Sequence, residues 1–119
     1  MPATFKQGDT ATPMTGTIRF SATGLPVNLT GCTVYLTLRH SKLETKIVDG
    51  KEVDIILPAA NGQWSYTWAD GETDYPGKYV GEHRVVKADG KVFHSPTVDY
   101  FEVEIVPSLD PPLSGEEDD

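Results

Sequence analysis

The run Asp74-Tyr75-Pro76-Gly77-Lys78-Tyr79-Val80-Gly81 has the form of a tyrosine corner. In such a corner a tyrosine near the start of strand F of an immunoglobulin-like β-sandwich folds its ring into the core. Its hydroxyl returns to the backbone of the preceding turn. Tyr79 is placed for that task, with Asp74, Pro76 and Gly77 in the turn before it. Two residues later, where an antibody domain carries its second cysteine, the chain has Gly81, so the sheets are expected to be held by packing alone.

On both sides of the corner apolar and polar residues alternate with period two, and no segment keeps a helical period, which makes the chain all-β. Upstream, Trp64-Ser65-Tyr66-Thr67-Trp68 puts three aromatics on one face of a single strand, and Trp64 and Tyr66 are assigned to the core. Val34, Leu36 and Leu38 alternate with Tyr35, Thr37 and Arg39, while Met14, Gly16, Ile18 and Phe20 alternate with Thr15, Thr17, Arg19 and Ser21. Each pattern supplies one inward face. Ile47-Val48 and residues 53–57 read as a hairpin joined by Asp49-Gly50, a dipeptide that tolerates the positive φ of a tight turn.

Downstream, Tyr79, Gly81, His83 and Val85 share a face, and Asp89-Gly90 turns the chain into a last region where Phe101, Val103 and Ile105 alternate with Tyr100, Glu102 and Glu104. About seven to eight short strands separated by turn chemistry favour a two-sheet antiparallel Greek-key sandwich, although spacing alone leaves a barrel open.

A chain of 119 residues supplies one domain and buries enough apolar surface to need no staple. Cys32 is the only cysteine, so an intrachain disulfide is excluded, and no cofactor is expected. The first residues lack the apolar centre of a signal peptide and no apolar run is long enough to span a bilayer, so a soluble protein made in a cytoplasm is expected. Five of the eight net negative charges fall in residues 107–119, which carry no base, and the rest of the chain is only −3. With no basic stripe to collect phosphates, nucleic acid is not the expected partner, and neither is a membrane. The organisation read from these features is a β-sandwich over 1–106 and a Pro-rich, acidic, disordered tail over 107–119.

Candidate chemistry is sparse. Asp70, Glu72 and Asp74 alternate as in a calcium loop, but the sixth position is Tyr75 instead of glycine and the twelfth is Gly81 instead of a bidentate glutamate. The segment reads instead as a solvated turn. His40, His83 and His94 form no ligand pair at hairpin or helix spacing, and His83 shares the inward parity of Tyr79, as a histidine bonded to a neighbouring carbonyl would. Cys32 has no activating base in its vicinity and reads as a small buried apolar residue. Asn28-Leu29-Thr30 matches the glycosylation sequon, but without a signal peptide the match carries no weight. Neither catalytic nor metal-binding residues are expected. The aromatic strand admits a second reading, in which Trp64, Tyr66 and Trp68 face outward as a sugar-stacking platform.

In order along the chain, Phe5-Lys6-Gln7-Gly8-Asp9-Thr10, the ten residues from Leu25 to Val34, Asn61-Gly62-Gln63-Trp64-Ser65-Tyr66, Asp74-Tyr75-Pro76-Gly77-Lys78-Tyr79 and Asp89-Gly90-Lys91-Val92 form a set that resembles the immunoglobulin-like N-terminal domain of the baseplate upper protein family of tailed bacteriophages. The set covers nearly everything from Phe5 to Val106. The resemblance implies a non-enzymatic structural protein of a phage virion, which in that family links the baseplate core to receptor-binding proteins. It also implies other virion proteins as partners, in baseplate, tail, neck or capsid, and a homo-oligomer that follows the symmetry of the particle. Members of that family commonly continue into a helical linker and further domains, whereas this sequence continues into the acidic tail. His83 also stands where such domains carry an apolar residue. The alternatives are a carbohydrate-binding module using Trp64 and Trp68 and, as a third reading, a calcium-stabilised adhesion domain.

Overall fold

The computed structural model describes residues 3–20, 22–95 and 101–109. Nine strands are present among them: β1 (Ala3–Lys6), β2 (Met14–Thr17), β3 (Thr33–His40), β4 (Lys46–Glu52), β5 (Asp54–Ile55), β6 (Gln63–Tyr66), β7 (Gly77–Val86), β8 (Val92–Ser95) and β9 (Phe101–Val106). They form two sheets, one in the order β1-β9-β7-β3-β4 with β8 also on β7, the other β2-β6-β5. All strand pairs are antiparallel except β1 with β9, where Phe5 sits opposite Ile105 in a parallel register.

Period two produces this sandwich because alternate side chains point to opposite faces of a strand. Val34, Leu36 and Leu38 from β3 and Tyr79, His83 and Val85 from β7 turn inward and are buried, as the alternation anticipates. Met14, Trp64 and Tyr66 face them from the smaller sheet, and Trp68, which the sequence pattern put on the same strand, lies two residues beyond the end of β6 but is buried in the same core. Asp89-Gly90 turns β7 into β8, with the Lys87 amide donating to Lys91 O at 2.7 Å.

Three sequence expectations are corrected. Asp49-Gly50 does not turn a hairpin but lies inside β4, where the three residues of β3 from Leu36 to Leu38 match the four of β4 from Lys51 to Val48. The extra residue is a bulge: Gly50 takes φ +64, and its amide donates to Thr37 Oγ1 at 3.1 Å instead of to the ladder. The second apolar run pairs elsewhere, with Ile55 opposite Trp64 in the smaller sheet.

The alternation that put Phe20 inward stops at Ile18, where the chain folds out into an arm joined by the Arg19–Pro26 bridge, leaving Phe20 half exposed. The segment 70–74 is also not a fully solvated turn, because Glu72 and Thr73 are buried. β9 ends at Val106, and the expectation of a disordered tail falls, for 110–119, outside the described residues.

The chain itself closes one side of the sandwich. β4, an edge of the larger sheet, runs through buried Val53 straight into β5, an edge of the smaller one, and the Val53 amide donates to Val34 O at 2.9 Å. On the opposite side no described residue makes such a strap, and β2 faces β1, β8 and β9 across an open flank.

Candidate functional site

The turn before β7 positions Tyr79. Its hydroxyl donates to Tyr75 O at 2.7 Å, four residues back, while its ring is buried and meets the His40 ring edge-on at 5.4 Å. Burial raises the pKa of the phenol, so it stays a donor. Gly77 leaves room for the His40 ring, which an added Cβ would approach at 3.2 Å. At Gly81, where an antibody domain has its cysteine, a Cβ would come within 2.4 Å of Phe101 Cζ and 2.7 Å of Leu38 Cδ2. The volume of a disulfide partner is thus filled by side chains of β9 and β3.

Glu72 is the polar centre of the same end. Its carboxylate accepts from the Tyr66 hydroxyl at 2.9 Å, from the Ala69 amide at 2.7 Å and from Lys51 Nζ at 2.8 Å. A buried carboxylate is tolerated when donors surround it. Burial, followed by the hydrogen bond and charge of Glu72, pushes the Tyr66 phenol well above its ordinary value. Neighbouring bonds tie the turn to the N-terminal loop: Thr73 Oγ1 donates to Asp9 O at 3.0 Å, and Gln7 Nε2 donates to Asp74 O at 2.8 Å. Glu72 therefore latches the loop onto the core and is spoken for as a ligand. The acidic spacing is visible in the sequence, but which acid turns inward is not.

Trp64, Tyr66 and Trp68 are all buried, at 3–5% exposure, so they offer no open platform for a sugar ring. Trp68 meets Phe5 edge-on at 5.2 Å and Tyr66 at 5.8 Å. The histidines stay apart. His40 Nδ1 accepts from the Lys42 and Leu43 amides, and His94 stands opposite Arg84, one position along from His83 and so on the other face of the sheet. Among the described residues, no group of three or more His, Cys, Asp or Glu could hold a metal ion. Cys32 is half-buried rather than fully enclosed, with Sγ at 3.9 Å from Thr30 O.

The open flank holds two concavities. The first, about 260 Å³, lies between β2 and the β8–β9 side and reaches His83. The His83 ring is stacked on Phe101 at 5.1 Å and meets Trp64 edge-on at 4.4 Å. Its Nε2 has no hydrogen-bond partner among the described residues. Burial pushes its pKa down to about 4, and a hydrogen bond with the Ser95 backbone acts in the opposite sense. Among the described residues, Glu102 is the other titratable group that lines this concavity.

The second concavity, about 530 Å³, is a groove between the 19–26 arm and β8. The arm is a short hairpin in which the Phe20 amide donates to Leu25 O and the Gly24 amide to Phe20 O, while Arg19 Nη1 donates to Gly24 O at 3.0 Å. Val27, Cys32, Phe20 and Phe93 give the groove its apolar lining. Arg19 and Lys87 supply charge, and no carboxylate among the described residues lines it. Phe20 and Leu25 remain 51% and 62% exposed, and beside this groove they make the arm the apolar part of the flank. Alternation misassigned Phe20; the one local signal of the arm is Thr23-Gly24, where Gly24 takes φ +73.

The architecture is similar to a solved structure, the N-terminal domain of phage TP901-1 ORF48. The two align with a TM-score of 0.55 over 90% of this chain and 84% of that one, at 15% sequence identity. At such identity the likeness establishes the fold, an all-β sandwich, and leaves function to the site. No family model matches the chain, and no curated protein matches it in sequence.

Proposed function

We propose that this chain is a non-enzymatic structural protein of a bacteriophage virion, a sandwich module that docks onto other virion proteins in the baseplate, tail, neck or head. The observation that carries the proposal is the fold shared with a domain of a phage protein over nine-tenths of the chain. The ordered sequence resemblance to the baseplate upper protein family supports the same reading and favours the baseplate. The open flank suits docking, since edge strands leave backbone groups unpaired and loops at the sandwich ends carry variable side chains. Buried Trp64 and Trp68 remove the footing of the carbohydrate-binding alternative, and the engaged carboxylate of Glu72 removes that of the calcium-loop reading.

Mass spectrometry of purified virions of the phage that encodes the chain tests the proposal, followed by antibody labelling in electron micrographs. The protein should be present in stoichiometric amounts and at one location on the particle. Its absence from infectious, purified particles would refute the virion role.

A further inference from the structure

The groove between the 19–26 arm and β8 combines exposed aromatic surface with two cations in a protein of net charge −8. The chain contains a segment of matching chemistry: Leu109, Pro111-Pro112 and Leu113, followed by Glu116, Glu117, Asp118 and Asp119. Proline-rich segments lie against aromatic-lined grooves at low entropic cost, and carboxylates pair with guanidinium and ammonium groups. We propose that this groove receives the proline-acid segment of a second copy of the chain. Pro111-Pro112 and Leu113 then lie on Phe20 and Phe93, and the acids reach Arg19 and Lys87.

Geometry selects a second copy over the chain's own segment. The chain leaves the sandwich beside the start of β7, where Ile105 is opposite Gly77 and the Gln7 amide donates to Val106 O. The groove lies at the other end of β7, where Val86 is opposite Thr33 and Val92. Ten residues of β7 separate the two ends, about 30 Å at roughly 3.3 Å per residue. Leu113 is four residues beyond Leu109 and extends at most about 14 Å from it. It therefore cannot lie in its own groove, whereas nothing limits its approach to a neighbour stacked end to end. Such a contact joins the exit end of one copy to the groove end of another, so it either closes reciprocally as a twofold pair or continues as rings or rows of copies. The interface stands whether or not the chain is a virion part.

Sedimentation velocity on the full chain over a range of concentrations tests the contact, with three variants: groove reversal (R19E/K87E), segment reversal (E116K/E117K/D118K/D119K) and the two combined. The wild type should self-associate and weaken as salt is raised. Each single reversal should raise the dissociation constant roughly tenfold or more, with far-ultraviolet circular dichroism and urea midpoint unchanged. The combined variant should recover association, because the charges are exchanged rather than removed. Mixing the two single reversals should also yield assemblies that contain both variants, because the segment of each matches the groove of the other.

A wild type that stays monomeric at every concentration would overturn the proposal. So would association untouched by segment reversal, or a combined variant no better than either parent. These results are distinct from absence in virions, which bears only on the proposed function.

Discussion

Acid should weaken this fold through His83, and by a calculable amount. The ring lies between Trp64 and Phe101 with Nε2 unpartnered among the described residues, and its pKa falls from the ordinary 6.5 to about 4. The unfolded chain takes up a proton on this ring as pH falls through 6.5, but the native state resists until about 4. Stability from the neutral ring is thus complete above pH 6.5, declines between 6.5 and 4, and is lost below. At about 1.4 kcal/mol per unit, that gap amounts to about 3 kcal/mol, a large share of the 5–15 kcal/mol typical of a domain.

Urea unfolding at pH 7.5, 5.5 and 4 of the wild type and of His83→Leu isolates this contribution, since the carboxylates titrate equally in both. The wild type should lose about 3 kcal/mol more than the variant between pH 7.5 and 4. At pH 7.5 the variant should stay within about 1 kcal/mol of the wild type, because leucine removes the orphan nitrogen but also the ring's hydrogen bond with the Ser95 backbone. Parallel pH profiles for the two proteins would refute the reasoning, as would a ring that titrates near 6.5 in an NMR experiment on the native state.

Tyr79→Phe should cost about 1 to 3 kcal/mol in denaturant midpoint analysis, through the lost bond to Tyr75 O, with the fold retained; a wild-type midpoint would show that the hydroxyl contributes nothing. Glu72→Gln should destabilise by a similar amount, about 1 to 3 kcal/mol, and should bring the Tyr66 phenol down toward its ordinary range, which ultraviolet pH titration reads directly. Gly81→Ala should cost about 1 to 3 kcal/mol by thermal or urea unfolding, because its Cβ would intrude on Phe101 and Leu38; a neutral effect would mean that β9 can shift away without loss.

Much of the sandwich is legible in local pattern. Alternation identifies the inward faces of β3, β7 and β9 because a pleated strand can bury only every second residue, and the corner sequence places Tyr79 because its partner lies four residues away. Asp89-Gly90 is read correctly for the same reason: both strands it joins lie in one sheet. Asp49-Gly50 is chemically as good a turn, yet it becomes a bulge because the strand after it is captured by Trp64 and Ser65 of the other sheet. That competition is between partners far apart in sequence, and no dipeptide encodes it.

The same limit applies to the sites. Glu72 rather than Asp70 or Asp74 turns inward because Tyr66, Ala69 and Lys51 converge there only after both sheets have packed. Arg19, Phe20, Lys87 and Phe93 come from three separate segments, and their groove forms only where the 19–26 arm folds back beside β8. Residue type and period determine which side chains leave water; sheet order determines which of them meet.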